Sequence, residues 1–334
     1  MTINVGVNGF GRIGRSVFRV ITQRDTDIRV LAINDLGDAE TLAYLLQYDS
    51  VMGPFTGGVE LDGDILRAGG QEVELLTIRD PAELPWKELG VEIAVESTGV
   101  FRDRASLQKH LQAGAKRVIL TVPSKDPVDQ TVVLGVNDQD LDDRDRIVSN
   151  ASCTTNCLAP IAKILDESFG VRRGVMTTVH AYTNDQRLAD VPHEELRRSR
   201  AATENIIPTT TGAAKAVGEV LPNLAGRLDG MAMRVPVPDG STVDLVAELD
   251  REVTAEEVNE AVRKAAEGRM AGIVQFSEAP LVSTDIIGNP HSSIFDALST
   301  RVLGGNLVKV VAWYDNEWGY SNRVVDLIES LGRL

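Results

Sequence analysis

Short apolar runs alternate with segments of helical periodicity in the first 150 residues of the chain. Ile13, Val17 and Ile21 recur at helical spacing, and Leu107 and Leu111 lie four residues apart. The apolar runs are residues 3–7, 28–33, 93–95, 118–120 and 132–136. Strands that alternate with helices predict an α/β fold, in which helices cover both faces of a doubly wound parallel sheet.

The pattern changes after residue 150. Val243, Leu245 and Leu249 alternate with the polar residues Thr242 and Asp244, which indicates an antiparallel strand with one packed face. We therefore predict a second domain of the α+β class with a mostly antiparallel sheet. The change of pattern places the first domain at residues 1–150 and the start of the second domain at residue 151.

Two helices are predicted in this second part. Thr254 and Glu257 have the spacing of a capping box, which opens a helix that runs to about Glu267. Val324 and Leu331 lie on the apolar stripe of a final helix at residues 320–331. Local pattern does not indicate where this last helix packs.

Composition limits the function classes. The 334 residues exceed what one hydrophobic core usually organises. A net charge of −15 repels nucleic acid and anionic lipid, so local groups must hold any phosphorylated ligand. Two cysteines, no apolar run of membrane length and no leader sequence predict a protein of the reducing cytoplasm.

A glycine motif follows the first predicted strand. The segment GFGRIG contains Gly9, Gly11 and Gly14, and Asp35 ends the next strand 21 residues after the motif. These glycines permit a tight turn, close approach of a pyrophosphate and close helix packing, as in Rossmann-type dinucleotide sites. Asp35 would accept hydrogen bonds from a ribose, which favours NAD over NADP. The alternatives are a plain strand-to-helix turn, and a helix cap at Asp35.

A thiol lies where a helix is expected to start. Cys153 follows small, turn-forming residues and precedes an apolar-periodic segment at residues 161–165. The amino terminus of a helix favours the thiolate, which is the nucleophilic form. Cys157 lies one turn further along and is expected to be an inert, buried thiol. The spacing of the two cysteines matches no metal site, and we predict none.

Four histidines are candidates for the base that would activate this thiol. His180 ends an apolar strand candidate at residues 175–179, where catalytic groups are often mounted. His110 lies beside Lys109 on a helix and is expected to be solvated, and His193 and His291 follow prolines. Spacing alone leaves the choice open.

Four segments together resemble the phosphorylating glyceraldehyde-3-phosphate dehydrogenases, in the order of that family. They are NGFGRIGR at 8–15, ASCTTNCLAP at 151–160, TTTGAAKA at 209–216 and WYDNEWGYS at 313–321. The resemblance implies that Cys153 attacks the aldehyde to form a hemithioacetal. Hydride then passes to NAD, and inorganic phosphate cleaves the thioester, as in glycolysis. His180 matches the family's base.

The resemblance also implies two phosphate sites, one for the substrate and one for the attacking phosphate. Thr183 and Arg234 match the former. The residues that match the latter are Ser152, Thr154, Arg198, Thr211 and Gly212. Two alternatives stay open: Arg198 is a solvated surface charge, or Thr211 is an ordinary helix cap.

Further cofactor contacts and the assembly are implied in the same way. Besides the three glycines and Asp35, the matching cofactor residues are Arg12, Ile13, Asn34, Arg79, Thr121, Asn316 and Tyr320. The resemblance implies that the segment at about 316–334 completes the NAD-binding domain. It also implies a homotetramer, in which the loop at about 181–205 reaches a neighbouring subunit. Partners are then glyceraldehyde 3-phosphate and inorganic phosphate, not nucleic acid or membrane.

Three other functions remain as hypotheses. A related erythrose-4-phosphate dehydrogenase would hydrolyse the thioester, although residues 210–213 keep the phosphorylating pattern. A noncatalytic NAD-binding sensor would not need Cys153, His180 and Arg234 together. A Cys/His hydrolase is disfavoured by the glycine motif. The chain departs from the commoner family pattern at residues 237–241 and 287–292, which leaves subunit packing uncertain but not the chemistry.

Overall fold

The computed structural model describes residues 2–334, which divide into two compact units. Unit 1 comprises the chain up to Val132 together with Asp138–Ser152 and Ser321–Leu334. Unit 2 comprises Val133–Asn137 and Cys153–Tyr320. The last helix begins in unit 2, and most of its length belongs to unit 1.

Unit 1 contains a nine-stranded sheet in the order β3-β4-β5-β2-β1-β6-β7-β9-β8. Its strands are β1 (Ile3–Asn8), β2 (Ile28–Asn34), β3 (Val59–Asp62), β4 (Ile65–Ala68), β5 (Gln71–Leu76), β6 (Ile93–Glu96), β7 (Arg117–Leu120), β8 (Gln130–Thr131) and β9 (Ile147–Ser149). Only the β3–β4 and β4–β5 pairs are antiparallel. The predicted doubly wound, mostly parallel sheet is therefore confirmed.

Four short helices follow strands of this sheet. They are α1 (Arg12–Gln23), α2 (Ala39–Gln47), α3 (Trp86–Leu89) and α4 (Arg104–Gln112). Asp38 and Asp103 cap α2 and α4, because each carboxylate accepts a backbone N–H three residues on. In α1, Val17 and Ile21 are buried on the predicted stripe.

The strand predicted at residues 132–136 is wrong. Strand β8 ends at Thr131, and the apolar residues that follow form a buried turn. The N–H of Val136 donates to the carbonyl of Val133, and the Asn137 side chain accepts from the N–H of Val133. Gly135 has a φ of 80°, which a strand does not allow. The N–H of Val132 still donates to the carbonyl of Ser149 in β9, but the residues after it are apolar because they are buried in the turn.

Unit 2 contains a seven-stranded sheet in the order β11-β12-β10-β13-β16-β15-β14. Its strands are β10 (Val171–Ala181), β11 (Ile207–Thr210), β12 (Leu228–Val235), β13 (Ser241–Leu249), β14 (Val274–Ser277), β15 (Ser293–Leu303) and β16 (Leu307–Tyr314). Its helices are α5 (Cys153–Phe169), α6 (Ala213–Val220) and α7 (Ala255–Glu267), and α8 (Trp318–Arg333) follows β16. Four of the six strand pairs are antiparallel, as predicted.

Two local predictions are confirmed in this unit. Val243, Leu245 and Leu249 are buried along β13, and the polar residues between them are more exposed. Thr254 and Glu257 make the reciprocal capping-box hydrogen bonds, and α7 ends at the predicted Glu267. Both patterns are local, so packing did not override them.

His110 is fully buried, so its predicted solvation is wrong. The indole N–H of Trp86 donates to its Nδ1 at 3.1 Å, and its Nε2 lies 3.1 Å from the buried Glu96 carboxylate. Because Nδ1 accepts, the ring proton is on Nε2 and is donated to Glu96. The ring therefore joins α4 to the carboxyl end of β6.

We expect His110→Phe to lower the free energy of unfolding by about 3 kcal/mol, because it removes one hydrogen bond from the buried Glu96 carboxylate and leaves the buried indole N–H of Trp86 without a partner. Urea denaturation followed by tryptophan fluorescence measures this loss. The matched control is Lys109→Ala, because solvent screens the exposed 3.0 Å pair of Lys109 with Asp80, which contributes little to stability. Equal effects of the two substitutions would contradict the assignment.

Candidate active site

The glycine turn of unit 1 has the geometry that its sequence requires. Gly9 has a φ of 95°, and a Cβ there would lie 2.6 Å from the backbone nitrogen of Thr98. A Cβ on Gly14 would lie 2.1 Å from the carbonyl oxygen of Gly9. By contrast, no atom lies within 4 Å of a Cβ built on Gly11. The turn is closed at the two outer positions and open at Gly11, at the start of α1, where a pyrophosphate would approach.

Beside this turn lies a cavity of about 350 Å³. It is lined by Asn8, Gly9, Gly11, Asn34, Asp35, Leu36, Ile78, Arg79, Ser97, Thr98, Val100 and Phe101. The Asp35 carboxylate accepts the N–H of Phe10 at 2.7 Å and that of Gly37 at 2.9 Å. These bonds fix both oxygens and leave each able to accept another hydrogen bond, so the residues fit the adenosine half of NAD.

A buried polar network supports this cavity. The Asn34 amide donates to the Asn8 side chain at 2.7 Å and to the Ile78 carbonyl at 2.9 Å, and its oxygen accepts the N–H of Ile78. Asn8 in turn donates to Glu96 at 2.6 Å. The side chain of Asn34 is thus used to hold the segment before Arg79, whereas the family resemblance implied a direct contact with the cofactor.

The remaining cofactor candidates of unit 1 differ in their surroundings. Arg12 forms an ion pair with Asp49 at 2.5 Å, and the neighbouring Ile13 is half-buried. Arg79 is exposed at the rim of the cavity. Thr121 is buried after β7, and its hydroxyl donates to the Glu96 carbonyl at 3.1 Å. The structure brings Arg79 to the same cavity as Asp35.

Cys153 is the first residue of the 17-residue helix α5. Two residues before it, Ala151 has a φ of 54°, a left-handed conformation that is unfavourable for a residue with a side chain. This turn follows β9 and places the half-buried thiol at the amino terminus of the helix. Cys157 is fully buried inside the same helix, as predicted.

Sγ of Cys153 lies 3.5 Å from Nε2 of His180. His180 is buried one residue before the end of β10, and its Nδ1 lies 2.7 Å from the carbonyl oxygen of Ala181. Nη1 of Arg234, which can only donate, lies 2.6 Å from the same nitrogen, so these two contacts favour opposite tautomers. The tautomer with its proton on Nδ1, donated to Ala181, leaves the lone pair of Nε2 facing the thiol. The geometry therefore selects His180 from the four histidines as the candidate base.

Burial sets the charge of this pair. It raises the pKa of the Cys153 thiol to about 11, although Arg234 acts in the opposite direction. Burial also lowers the pKa of His180 to about 3, and Arg234 lowers it further. The predicted effect of the helix terminus on the thiol is therefore outweighed by burial. A proton moved from Sγ to Nε2 gives adjacent opposite charges, so the two groups titrate as a pair.

Arg234 and Tyr314 frame the imidazole. The Arg234 Nη1 atom lies 2.6 Å from His180 Nδ1 and 3.2 Å from the Ala181 carbonyl. The Tyr314 ring meets the imidazole edge-on at 5.9 Å, and its hydroxyl lies 2.8 Å from those of Thr154 and Thr178. Residues of β10, β12 and β16 and of the start of α5 therefore hold the imidazole ring in place.

A second polar cluster contains several of the predicted phosphate residues. Thr183 donates to Asp185, and Arg198 pairs with Asp185 and, at 2.9 Å, with Glu195. Burial opposes ionisation of Asp185, but Thr183, Arg234 and Arg198 together lower the pKa of its carboxyl group. Asp185 therefore links this cluster electrostatically to Arg234 and His180.

The other predicted phosphate residues are dispersed. Ser152 is half-buried beside the thiol, and Thr154 is occupied by Tyr314. Thr211 accepts the N–H of Ala213 at 3.2 Å, but the N-cap of α6 is Gly212 and not Thr211. Gly212 precedes α6 and has open space around it.

Asn316 and Tyr320 are buried in unit 2, after β16 and at the start of α8. The Asn316 side-chain oxygen accepts the Ser241 hydroxyl at 2.6 Å, and the Ser241 oxygen accepts the N–H of Ala181 at 3.0 Å. A short chain of hydrogen bonds therefore connects Asn316 to the residue that follows His180.

Sequence reasoning missed the residues that hold these groups. Tyr314, Ser241, Asp185 and Glu195 all contact a predicted site residue. Tyr314 and Asp185 each lie within two residues of a predicted site residue, a weak signal that could have found them. Glu195 lies three residues before Arg198, which is a similar weak signal. Nothing local marks Ser241, because its partners Ala181 and Asn316 are distant in sequence.

Within residues 2–334, the structure offers no group of three or more histidine, cysteine, aspartate or glutamate side chains placed to hold a metal ion. No helix in this range combines the length and the apolar character needed to cross a membrane.

Comparisons with known proteins agree over almost the whole chain. Residues 3–104 match the family model "Glyceraldehyde 3-phosphate dehydrogenase, NAD binding domain", and residues 152–316 match the corresponding C-terminal domain. The glyceraldehyde-3-phosphate dehydrogenase of Geobacillus stearothermophilus is 60% identical over 98% of this chain and 97% of its own length. Glyceraldehyde-3-phosphate dehydrogenase 1 of Bacillus subtilis is 59% identical with the same coverage.

A more distant relative gives the same result. Glyceraldehyde-3-phosphate dehydrogenase 2 of Streptomyces avermitilis is 54% identical over 99% of both chains. The chain belongs to the glyceraldehyde-3-phosphate dehydrogenase family.

Proposed function

We propose that this chain oxidises glyceraldehyde 3-phosphate with NAD and transfers the resulting acyl group to inorganic phosphate, which forms 1,3-bisphosphoglycerate. The observation that carries the proposal is the 3.5 Å contact between Sγ of Cys153 and Nε2 of His180 at the start of α5. A nucleophile and a base within reach, with the base oriented by a third group, are what acyl chemistry requires.

In the first step, His180 accepts the thiol proton as Sγ bonds to the aldehyde carbon, which gives a hemithioacetal on Cys153. The imidazolium then protonates the developing alkoxide, and Nε2 is again free. The Ala181 carbonyl, 2.7 Å from Nδ1, holds the ring in the orientation that this needs.

In the second step, His180 takes the hydroxyl proton of the hemithioacetal while the hydrogen on the same carbon leaves as a hydride. NAD, when bound, accepts that hydride. A thioester on Cys153 remains, and phosphate attacks its carbonyl carbon and releases the thiolate, which regains a proton. Tyr314 and Arg234 exclude water from the buried side of the imidazole.

The substrate phosphate is assigned to Arg234 and Thr183. Arg234 touches the imidazole and opposes its protonation. A phosphate bound at Arg234 brings compensating negative charge, which makes His180 a stronger base when the substrate is present. The second phosphate is assigned to Arg198 with Ser152, Thr154, Thr211 and Gly212. It would compete for Arg198 with Asp185 and Glu195.

Cofactor contacts are assigned to the glycine turn with Arg12 and Ile13, to Asp35 and Arg79 at the cavity, and to Thr121, Asn316 and Tyr320. Asn34 acts through the segment that it anchors. Unit 1 is accordingly the NAD-binding domain and unit 2 the catalytic domain. We also assign a homotetramer, which the exposed apolar side chains of Val175, Leu303 and Leu307 in unit 2 support.

Cys153→Ala abolishes oxidation and leaves the Kd for NAD within about twofold, because the cofactor cavity lies in unit 1. Steady-state NADH formation and calorimetry measure the two effects. Cys157→Ala is the matched control and keeps most of its activity, because this thiol is fully buried and burial raises its pKa to about 12. Appreciable turnover by Cys153→Ala would reject the mechanism and leave the NAD-binding sensor.

His180→Asn lowers the rate of Cys153 alkylation at pH 7 about tenfold or more, because the thiol proton then has no base beside it and burial keeps the pKa of the thiol above its ordinary value. In this variant the rate rises about tenfold per pH unit at pH values below the pKa of the thiol, since only the thiolate reacts. Brief iodoacetamide labelling and mass spectrometry give the rates at each cysteine. Unchanged labelling at pH 7 would show that His180 does not take the proton.

Turnover stops after about one NADH per site when inorganic phosphate is left out, because the thioester persists. Arg198→Gln raises the KM for phosphate about tenfold through loss of a charge-assisted contact. Arg197→Gln is the control, since the exposed guanidinium group of Arg197 donates to the carbonyl of Pro208 at 3.4 Å. Sustained turnover without phosphate would instead favour the hydrolytic erythrose-4-phosphate type of enzyme.

A further inference from the structure

Two carboxyl groups meet inside unit 2, where no step described above uses them. Asp239 precedes β13 and Asp315 follows β16, and each is 1% exposed. Their side chains lie within hydrogen-bonding reach of each other. Two buried carboxylates in contact cannot both be ionised, so the pair must hold a proton.

Backbone donors show which residue is the anion. Asp315 Oδ1 accepts the N–H groups of Glu317 at 2.8 Å and Trp318 at 2.5 Å, and its Oδ2 accepts the N–H of Gly288 at 2.8 Å. Three N–H donors stabilise a carboxylate. Asp315 thus holds together the end of β16, the start of α8 and the loop that contains Gly288.

Asp239 has the complementary surroundings of a neutral acid. Its Oδ1 accepts the N–H of Gly240 at 2.8 Å, whereas its buried Oδ2 has no N–H or O–H donor as a partner. The charged side chains that act most strongly on it are Asp315 and Glu317, which are both negative. A proton on Oδ2, donated to Asp315, satisfies this atom and removes the repulsion.

The pair lies where two strands hold residues of the proposed site. Ser241 of β13 lies opposite Tyr314 of β16 in the sheet. Asp239 comes two residues before Ser241, and Asp315 comes directly after Tyr314, so both aspartates lie at the same end of these two strands. The Ser241 hydroxyl donates to Asn316 at 2.6 Å. Two contacts therefore fix the position of Asn316. Ser241 donates to its side chain, and the neighbouring residue Asp315 is held by three backbone N–H groups.

We propose that Asp239 is a positioning residue, which as a neutral carboxylic acid donates a hydrogen bond to the Asp315 carboxylate and thereby holds Ser241 and Asn316 in place. The proposal rests on the proposed function only in taking Asn316 as a cofactor contact. Its chemistry needs no metal ion and no change in the covalent structure of the chain.

The pH dependence of stability follows from the sign of the shift. Burial, with the charges of Asp315 and Glu317, raises the pKa of Asp239 well above its ordinary value. Between the unfolded and folded pKa values, the folded chain binds a proton that the unfolded chain has released. Stability is therefore lost as the pH rises through that window.

The experiment compares three variants of the full chain. Asp239→Asn keeps a hydrogen-bond donor and is neutral at every pH, whereas Asp239→Leu has a similar volume and no donor. Asp64→Asn makes the same change of side chain at an exposed turn and is the control. The measurements are the Tm from pH 5 to 10, kcat with phosphate present, and the infrared band of a protonated carboxylic acid.

We expect the Tm of the wild type and of Asp64→Asn to fall with rising pH more steeply than that of Asp239→Asn. The difference infrared spectrum between wild type and Asp239→Asn should contain the carboxylic acid band. Asp239→Leu should lower kcat about tenfold or more through misplacement of Asn316, and Asp239→Asn should restore it to within about twofold.

Parallel Tm curves for the wild type and Asp239→Asn would overturn the proposal, as would a kcat loss in Asp239→Asn equal to that in Asp239→Leu. A wild-type Tm that depends on divalent cations would also overturn it, by showing a bound ion in place of the proton. The Tm and infrared results do not depend on turnover. An inactive wild type with the expected Tm difference would therefore reject the proposed function and keep the carboxyl pair.

Discussion

The contact between a half-buried thiol and a buried imidazole is the constraint on which the candidate active site depends. Burial opposes a charge on Cys153 and on His180 separately, but much less on the two together. The 3.5 Å separation lets a proton cross without leaving an isolated charge. The strained turn at Ala151, the start of α5 and the end of β10 all serve to keep that distance.

Charge is the second constraint, since a chain with a net charge of −15 must recognise phosphorylated molecules. Its guanidinium groups do not stand free at the site: Arg198 is held by Asp185 and Glu195. Arg234 lies against His180 instead. In the proposed function, cations held in this way would be oriented before a phosphate arrives, and the same contacts would link phosphate binding to the charge of the base.

Hydrogen bonds between buried polar groups connect secondary-structure elements within each unit. His110 joins α4 to β6 through Glu96, and Asn34 anchors the segment of Ile78. In unit 2, Asp239 and Asp315 meet beyond paired strands. Each of these contacts joins residues that are far apart in sequence, so its polar groups find their hydrogen-bond partners only when the fold is complete. These residues therefore fix the relative positions of the elements more than they add to the hydrophobic core.

The sequence by itself determined what depends on local chemistry. It predicted the glycine turn before α1, the alternation along β13 and the cap of α7, because neighbouring residues decide these features. Spacing could not decide which apolar run pairs as a strand, nor whether a histidine is solvated. Residues 132–136 therefore proved to be a buried turn, and His110 a buried ring. Only the tertiary structure placed His180 beside Cys153 and Asp239 beside Asp315, because these contacts join segments that sequence distance does not relate.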